Sequence, residues 1–439
     1  PGLALAQDAD EQKTGEEGDP ATLDAVEVTG IRGSFQSSMA VKRDAQGVVD
    51  GIVSEDIGKF PDTNLAESLQ RISGVSIDRV NGEGSRVTVR GVGPDFNLVL
   101  LNGRQMPTSS IADTGASNSR AFDFGNLASE AIAAVDVYKT SRASSPTGGI
   151  GATINIKTTR PLDAPGFRAS VGIQAVNDTS AMNLPGSMRG DTITPEVSGI
   201  YSQTFLDNRL GIALSASYQK RDFGYSQAST PNGWRVFRGD ENNWGTIPQP
   251  GDPGSENITN RPDASDIYSV PQNLLYSING VSRERTNGQL TLQYDLTDNL
   301  RATLDYTYSE NKVQSQRNEL SVWFNFGPSA SAWTDGPVAA PTLYSEFIPS
   351  GTSDLSMGGA VNATRNQNKS LGFNLAWDVT DSLSLELDHH SSSATSGADS
   401  PYGSSGVLGT AGFFRGTTTV DYSGDFPILT VQLPAGMSQ

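Results

Sequence analysis

His389 and His390 are the only imidazoles in this 439-residue chain, and they are adjacent. Neighbouring residues on a strand point to opposite faces, so the two cannot share one metal ion. The chain has no cysteine, which removes thiolate ligands and disulfides together. Glu55-Asp56 is a carboxylate pair of the ordinary surface kind, and no Ser/His/Asp or Cys/His constellation can be assembled. Gly51…Gly58-Lys59 has the wrong spacing for a phosphate-binding loop, and Phe60 stands where Ser or Thr must hold magnesium. Gly91-Val92-Gly93 and Gly149-Ile150-Gly151 do not lead into helical patterns, so neither is a dinucleotide fingerprint. No enzyme activity, cofactor or metal site is expected. The remaining chemistry is noncovalent. Asn, Asp and Arg side chains can hydrogen-bond a ligand, and aromatic rings can stack on one.

The totals narrow the class further. A net charge of −18 argues against binding a phosphate backbone, so nucleic acid is not an expected partner. No run of about 18 consecutive apolar residues exists, which excludes a transmembrane helix but not a membrane strand. Residues 1–6 end in Ala4-Leu5-Ala6 before a polar run, the pattern of a signal-peptide remnant cleaved after Ala6. Residues 7–30 read as a disordered leader. Inside it, Asp24-Ala25-Val26-Glu27-Val28-Thr29-Gly30 is a β-prone island. It suits either strand addition to another chain's sheet edge or an ordinary first strand.

Residues 31–160 read as a compact α+β domain. Leu65, Leu69 and Ile72 sit at helical spacing, with Asp62 or Thr63 as the expected N-cap and Gly74 as the stop. Val75 to Asp78 and Arg86 to Arg90 alternate as strands around an Asn81-Gly82 turn signal. Leu98 to Leu101 is a short apolar strand closed by Asn102-Gly103, and Ala131–Tyr138 and Ala152–Lys157 are two more β runs.

From about residue 166 the texture becomes one of long alternation. Leu290, Leu292, Tyr294 and Leu296 alternate with Gln289, Thr291, Gln293 and Asp295. The same holds across Leu210–Tyr218, Leu300–Ser309, Leu371–Thr380 and Leu383–Asp388. Runs of about ten residues match a tilted membrane span, and aromatic residues fall towards several ends as an interfacial girdle requires. Short turns around Asp207-Asn208, Asp298-Asn299 and Asp381-Ser382 alternate with long polar stretches at about 222–283 and 314–367. That is the pattern of an outer-membrane barrel, short-turned on the periplasmic side and long-looped outside. Roughly eight strands are expected in residues 161–439. A closed barrel of about eight strands has no room for the preceding domain, whereas barrels of about 22 strands hold a plug. A larger barrel, incomplete in this chain, is therefore expected.

Three segments carry a family resemblance: Val87-Thr88-Val89-Arg90-Gly91-Val92-Gly93 with Leu98–Arg104, Ile132–Lys139, and Gly148–Thr158. In that order, and followed by barrel strands, they resemble the plug core of TonB-dependent outer-membrane receptors. The resemblance implies a mainly-β protein in a Gram-negative outer membrane, with an α+β plug inside a large antiparallel transmembrane barrel. It implies a transporter energised by TonB with ExbB and ExbD, surrounded by outer-membrane lipids. Asp24 to Gly30 would be the TonB box, Asp24, Ala25, Val26, Glu27, Val28, Thr29 and Gly30 offering their backbone to TonB. Arg90, Asp136 and Lys139 would latch the plug to the barrel's inner wall. Outward-facing plug loops would bind the ligand through Asp95, Phe96, Asn97, Arg104, Asn118, Arg120, Phe122 and Asp123. Trp234, Trp244, Tyr268 and Trp333 in the long loops would add a stacking platform or pack those loops together. The segment Ser34–Ile72 is similar to a subgroup that takes up carbohydrate, which makes an oligosaccharide the expected cargo and a small-molecule ligand the expected partner. A ferric siderophore or other metal complex is the first alternative, and a passive porin or adhesin the second. A surface lipoprotein partner is left open.

Overall fold

The computed structural model describes residues 39–433 and 436, apart from 44, 46, 54–63, 81–82, 109–110, 113–114, 117–118, 128–131 and 144. The signal remnant, the leader and the proposed TonB box at 24–30 lie outside the described residues, as do Asp62, Thr63 and Asn118.

The first domain is built on a mixed sheet. Strand β1 (Val49–Val53) lies at one edge, α1 (Leu65–Leu69) covers the sheet, and β2 (Val75–Val80) and β3 (Glu83–Val89) form a separate hairpin. Strands β4 (Leu98–Leu101), β5 (Arg104–Gln105), β6 (Ile132–Tyr138) and β7 (Thr153–Thr158) complete the sheet in the order β1-β6-β7-β4-β5, with β4 parallel to β7. The core is apolar and belongs to this domain alone: Leu65, Leu69, Val89, Val135, Val137, Ile154 and Ile156 are its centre. The helix begins one residue later than the sequence suggests. Asn64 is the N-cap, accepting from the Ala66 and Glu67 amides at 2.9 and 3.3 Å. It also ends earlier, so Ile72 joins the core from the turn that follows.

The second part is one antiparallel sheet. Its strands are β8 (Arg168–Asn177), β9 (Ile193–Phe205), β10 (Leu210–Ser229), β11 (Asn273–Thr297), β12 (Leu300–Trp323), β13 (Leu355–Thr380) and β14 (Leu383–Ala398), paired in sequence order. An eighth strand, β15 (Ser405–Gly412), continues the edge by pairing the other half of β13. The sheet is an open wall, since among the described residues β8 and β14 do not meet.

Its polarity is the reverse of a water-soluble sheet. On β11 the odd-numbered residues Asn287, Gln289, Thr291 and Gln293 are buried, as are Thr303, Asp305, Thr307 and Ser309 on β12. The residues on the opposite face are the apolar ones. Leu214, Tyr294, Leu304, Tyr306, Phe373, Trp377 and Leu385 are all exposed, Leu385 by 51%. Only a nonaqueous medium makes such a face stable.

The strands are longer than expected. β11, β12 and β13 have 25, 24 and 26 residues, so the stretches assigned to loops at 222–283 and 314–367 begin and end as strand. The apolar alternation fills only the end near the short turns, and beyond it both faces are polar. What remains of the loops folds into small sheets around a second apolar core containing Phe237, Ile247, Tyr268, Trp333, Tyr344 and Val420.

Candidate functional site

Asn102 and Gly103 both have positive φ, 52° and 83°, the two-residue turn that closes β4 onto β5. The next residue is thereby thrown towards the wall. Arg104 is 5% exposed and reaches two strands at once. Its Nη1 donates to both Asp305 oxygens on β12, at 2.8 and 2.6 Å, and its Nε and Nη2 donate to Asp388 on β14 at 2.8 Å each. Burial alone would lower the guanidinium pKa, but the two carboxylates outweigh it and hold it above its ordinary value. Gly372 on β13 makes the clamp possible, because a Cβ there would overlap the guanidinium. Arg104, expected to bind ligand, is thus a plug-to-wall tie.

The residues expected to latch the plug are engaged within it. Arg90 donates to the carbonyls of Lys139 and Gly151 at 2.6 and 3.1 Å. Asp136 pairs with Lys157 at 2.6 Å and accepts from the Tyr138 hydroxyl at 2.9 Å. Lys139 pairs with Asp50 at 2.5 Å and donates to the Ser73 carbonyl at 2.6 Å. Among the described residues all three charges expected from the apolar strands have their partners inside the plug. Two of the wall partners, Asp305 and Asp388, carry a readable signal, each on the polar parity of an alternating strand, whereas Arg283 and Arg285 lie where both faces are polar.

At the loop-ward end of the plug, the β2–β3 hairpin meets β11. Glu83 is ion-paired with Arg283 and accepts from Arg285 Nη2 through both oxygens at 3.1 Å. All three are buried, Arg285 completely. The hairpin is braced from behind by α1. Glu67 accepts from the Gly84 amide at 3.1 Å and from Arg79 at 2.7 Å, and Asn64 Nδ2 donates to the Gly84 carbonyl at 2.5 Å. Between hairpin and wall lies a cavity of 420 Å³. Arg79, Glu83, Arg86 and Asp123 line it from the plug, and Tyr225, Arg283, Asn311, Asn362 and Asn366 from the wall. Burial pushes the Asp123 carboxyl up, against hydrogen bonds from Ser85 and the Gly125 amide at 2.9 Å each.

Of the other expected ligand residues, Asn97, Arg120 and Phe122 line a second, smaller cavity of 120 Å³, apart from the first. Asp95 accepts from Ser119 Oγ at 2.6 Å and the Arg120 amide at 2.9 Å, and the Ser119 bond leads in holding its carboxyl below the ordinary range. It pins a loop. Asn97 is buried and donates to the Val87 carbonyl at 2.7 Å, and Phe122 belongs to the plug core. Phe96 and Arg120 are exposed, away from the lining of the larger cavity. Tyr268 and Trp333 pack the loop core edge-to-face at 5.0 Å, whereas Trp234 and Trp244 remain exposed. Among the described residues no group of His, Asp or Glu is arranged to hold a metal.

Comparison with known proteins matches the first of these two parts. The model of the TonB-dependent Receptor Plug Domain family matches residues 41–153. The ferric enterobactin receptor PirA of Pseudomonas aeruginosa is 28% identical over 121 residues, 26% of this chain and 16% of that protein. Two solved structures are similar over 89% of this chain. One is the siderophore receptor PirA of Acinetobacter baumannii, at 14% identity and TM-score 0.34, with 60% of that chain covered. The other is a ferric enterobactin receptor of Pseudomonas aeruginosa in complex with enterobactin, at 12% identity and TM-score 0.38, with 57% covered. This chain therefore spans well under two thirds of each. Residues 41–153 thus match the TonB-dependent receptor plug domain family, and the sheet that follows them has the inverted polarity of an outer-membrane barrel wall.

Proposed function

We propose that the chain imports a ferric chelate across the outer membrane, driven by TonB acting on Asp24–Gly30. The observation that carries this reading is a self-contained plug tied to a lipid-facing wall by polar contacts, with a cavity between them on the loop-ward side. A plug with its own apolar core can be shifted without unfolding the wall. The cavity's arginines, Arg79, Arg86 and Arg283, suit an anionic chelate. The relative matched over the plug is itself named for ferric enterobactin. TonB, with ExbB and ExbD, is the proposed energy-coupling partner. Catalysis has no part in the cycle.

An oligosaccharide is the second reading. It is favoured by the neutral rim of the same cavity, where Asn311, Asn362 and Asn366 stand with Tyr225 and Phe223. Nothing else supports it, since much of the segment that suggested carbohydrate lies outside the described residues. A binding titration of the purified receptor with ferric chelates and with maltodextrins or xylo-oligosaccharides separates the two. Iron uptake that requires the proton gradient is the expected result. Saturable sugar binding with no chelate binding would replace the cargo, and uptake that survives collapse of the gradient would make the protein a passive pore.

A further inference from the structure

Arg283 and Arg285 are two residues apart on β11 and project from the same face. Two buried guanidinium charges side by side are costly unless anions offset them. Among the described residues the carboxylate ion-paired with both is Glu83, which comes from the plug and not from the wall. Glu83 and Arg283 both line the 420 Å³ cavity, and Arg285 lies directly behind them, fully buried. The pair of guanidinium groups thus stands at a cavity large enough to hold part of a ligand, with a plug carboxylate bound to both.

Glu83 is also placed so that it can leave. It opens β3 beside the hairpin turn, outside the apolar core of the plug. We propose that Arg283 and Arg285 form an anion-recognition site that Glu83 occupies in the unliganded receptor, and that an anionic ligand displaces Glu83 and unties the hairpin from the wall. This inference rests on the chelate-import reading and adds how an occupied cavity would be reported. The hairpin's Gly84 is hydrogen-bonded through both its amide and its carbonyl to Glu67 and Asn64 at the start of α1. Movement of Glu83 therefore pulls on the N-terminal turn of that helix.

The test uses the whole receptor in lipid nanodiscs and two iron complexes of different charge. A ferric tris-catecholate is triply negative, because three dianions outweigh one Fe³⁺, and a ferric tris-hydroxamate is neutral. Glu83→Gln removes the competing charge and keeps the shape. Affinity for the anionic chelate should rise about tenfold, the equivalent of about 1.4 kcal/mol, while affinity for the neutral chelate stays the same. In the wild-type receptor, the anionic chelate should speed hydrogen exchange at the β3 amides, a readout that needs no variant. Equal affinities in variant and wild type, or unchanged β3 exchange on saturation, overturn the displacement while leaving chelate import standing. Wild-type protein that binds neither complex overturns the import reading, and this inference with it.

Discussion

At the scale of single residues, the decisive groups are charges whose partners lie far away in sequence. Arg104 meets Asp305 and Asp388 across separations of 201 and 284 residues. A planar fork that bonds two carboxylates at once has no lysine equivalent. Arg104→Lys should therefore release the plug from the wall, at a cost of about 3 kcal/mol for leaving the buried Asp305 carboxylate under-compensated. Gly372→Ala should reproduce that phenotype from the other side, because its methyl group takes the guanidinium's place. Limited proteolysis of the plug in the folded receptor reads both, and a resistant Gly372→Ala protein would refute the clamp. Asp50 makes a different prediction. Burial opposes its charge, but Lys139 and Lys42 outweigh burial and hold its carboxyl below the ordinary value. A depressed carboxyl stabilises the fold above its unfolded pKa and loses that contribution as pH falls through the folded one. Protection of the Val49–Val53 amides against hydrogen exchange should thus weaken on acidification below about pH 4. In Asp50→Asn it should already be weak at neutral pH and vary little. The sequence singles out Arg104 but not the carboxylates that hold it. Turn chemistry at Asn102-Gly103 was legible, whereas the carboxylates it aims at are fixed only by the register of the wall.

At the scale of elements, alternation with a period of two was the most legible feature, and it proved correct to the residue on β11 and β12. The sequence also contained the answer to which face meets water, because a soluble sheet would bury Leu292 and Leu304 and expose Gln289 and Asp305. The structure buries Gln289 and Asp305, exposes Leu304 and leaves Leu292 half-buried. This gives a sharp test at Leu304, which pairs with Leu292 and Phe373 in the middle of the apolar band. An exposed leucine on a soluble protein tolerates arginine within about 0.5 kcal/mol. On a lipid face near the bilayer midplane the same change costs about 2–4 kcal/mol. Reversible unfolding of Leu304→Arg from bilayers should show that loss, and a neutral result would put this face in water. The strand lengths were not legible. Past the apolar band, residues such as Ser309–Gln316 are polar on both faces, so periodicity vanishes while backbone pairing continues. The loop core was illegible for a related reason: Tyr268, Trp333 and Tyr344 come from separate short strands whose pairings are non-local. Aromatic residues in polar stretches read equally well as ligand platform or as packing, and for Tyr268 and Trp333 packing is what the structure builds.

At the scale of the whole molecule, the division of labour follows from where apolar contacts stop. The plug core draws only on residues 52–156, and the plug meets the wall through side-chain hydrogen bonds and ion pairs. Polar contacts exchange with water at modest net cost, whereas separating an apolar interface would expose surface at about 25 cal/mol per Å². Such a plug can be shifted as a body while the wall stays intact. The two ties also lie at different depths. Asp305 is five residues from the short-turn end of β12, and Arg283 is fourteen from that end of β11, so hairpin and clamp can be loosened separately. If transport requires the plug to move against the wall, joining the two should stop uptake. Asn126 and Asn311 stand across this interface, 3.3 Å apart. The chain has no cysteine of its own, so Asn126→Cys with Asn311→Cys can be bridged selectively by a short, reducible bis-thiol reagent. The bridged receptor should import no chelate, and reduction should restore import to the level of the unbridged double variant. Import by the bridged form at the wild-type rate would mean that the ligand passes without displacement of the plug.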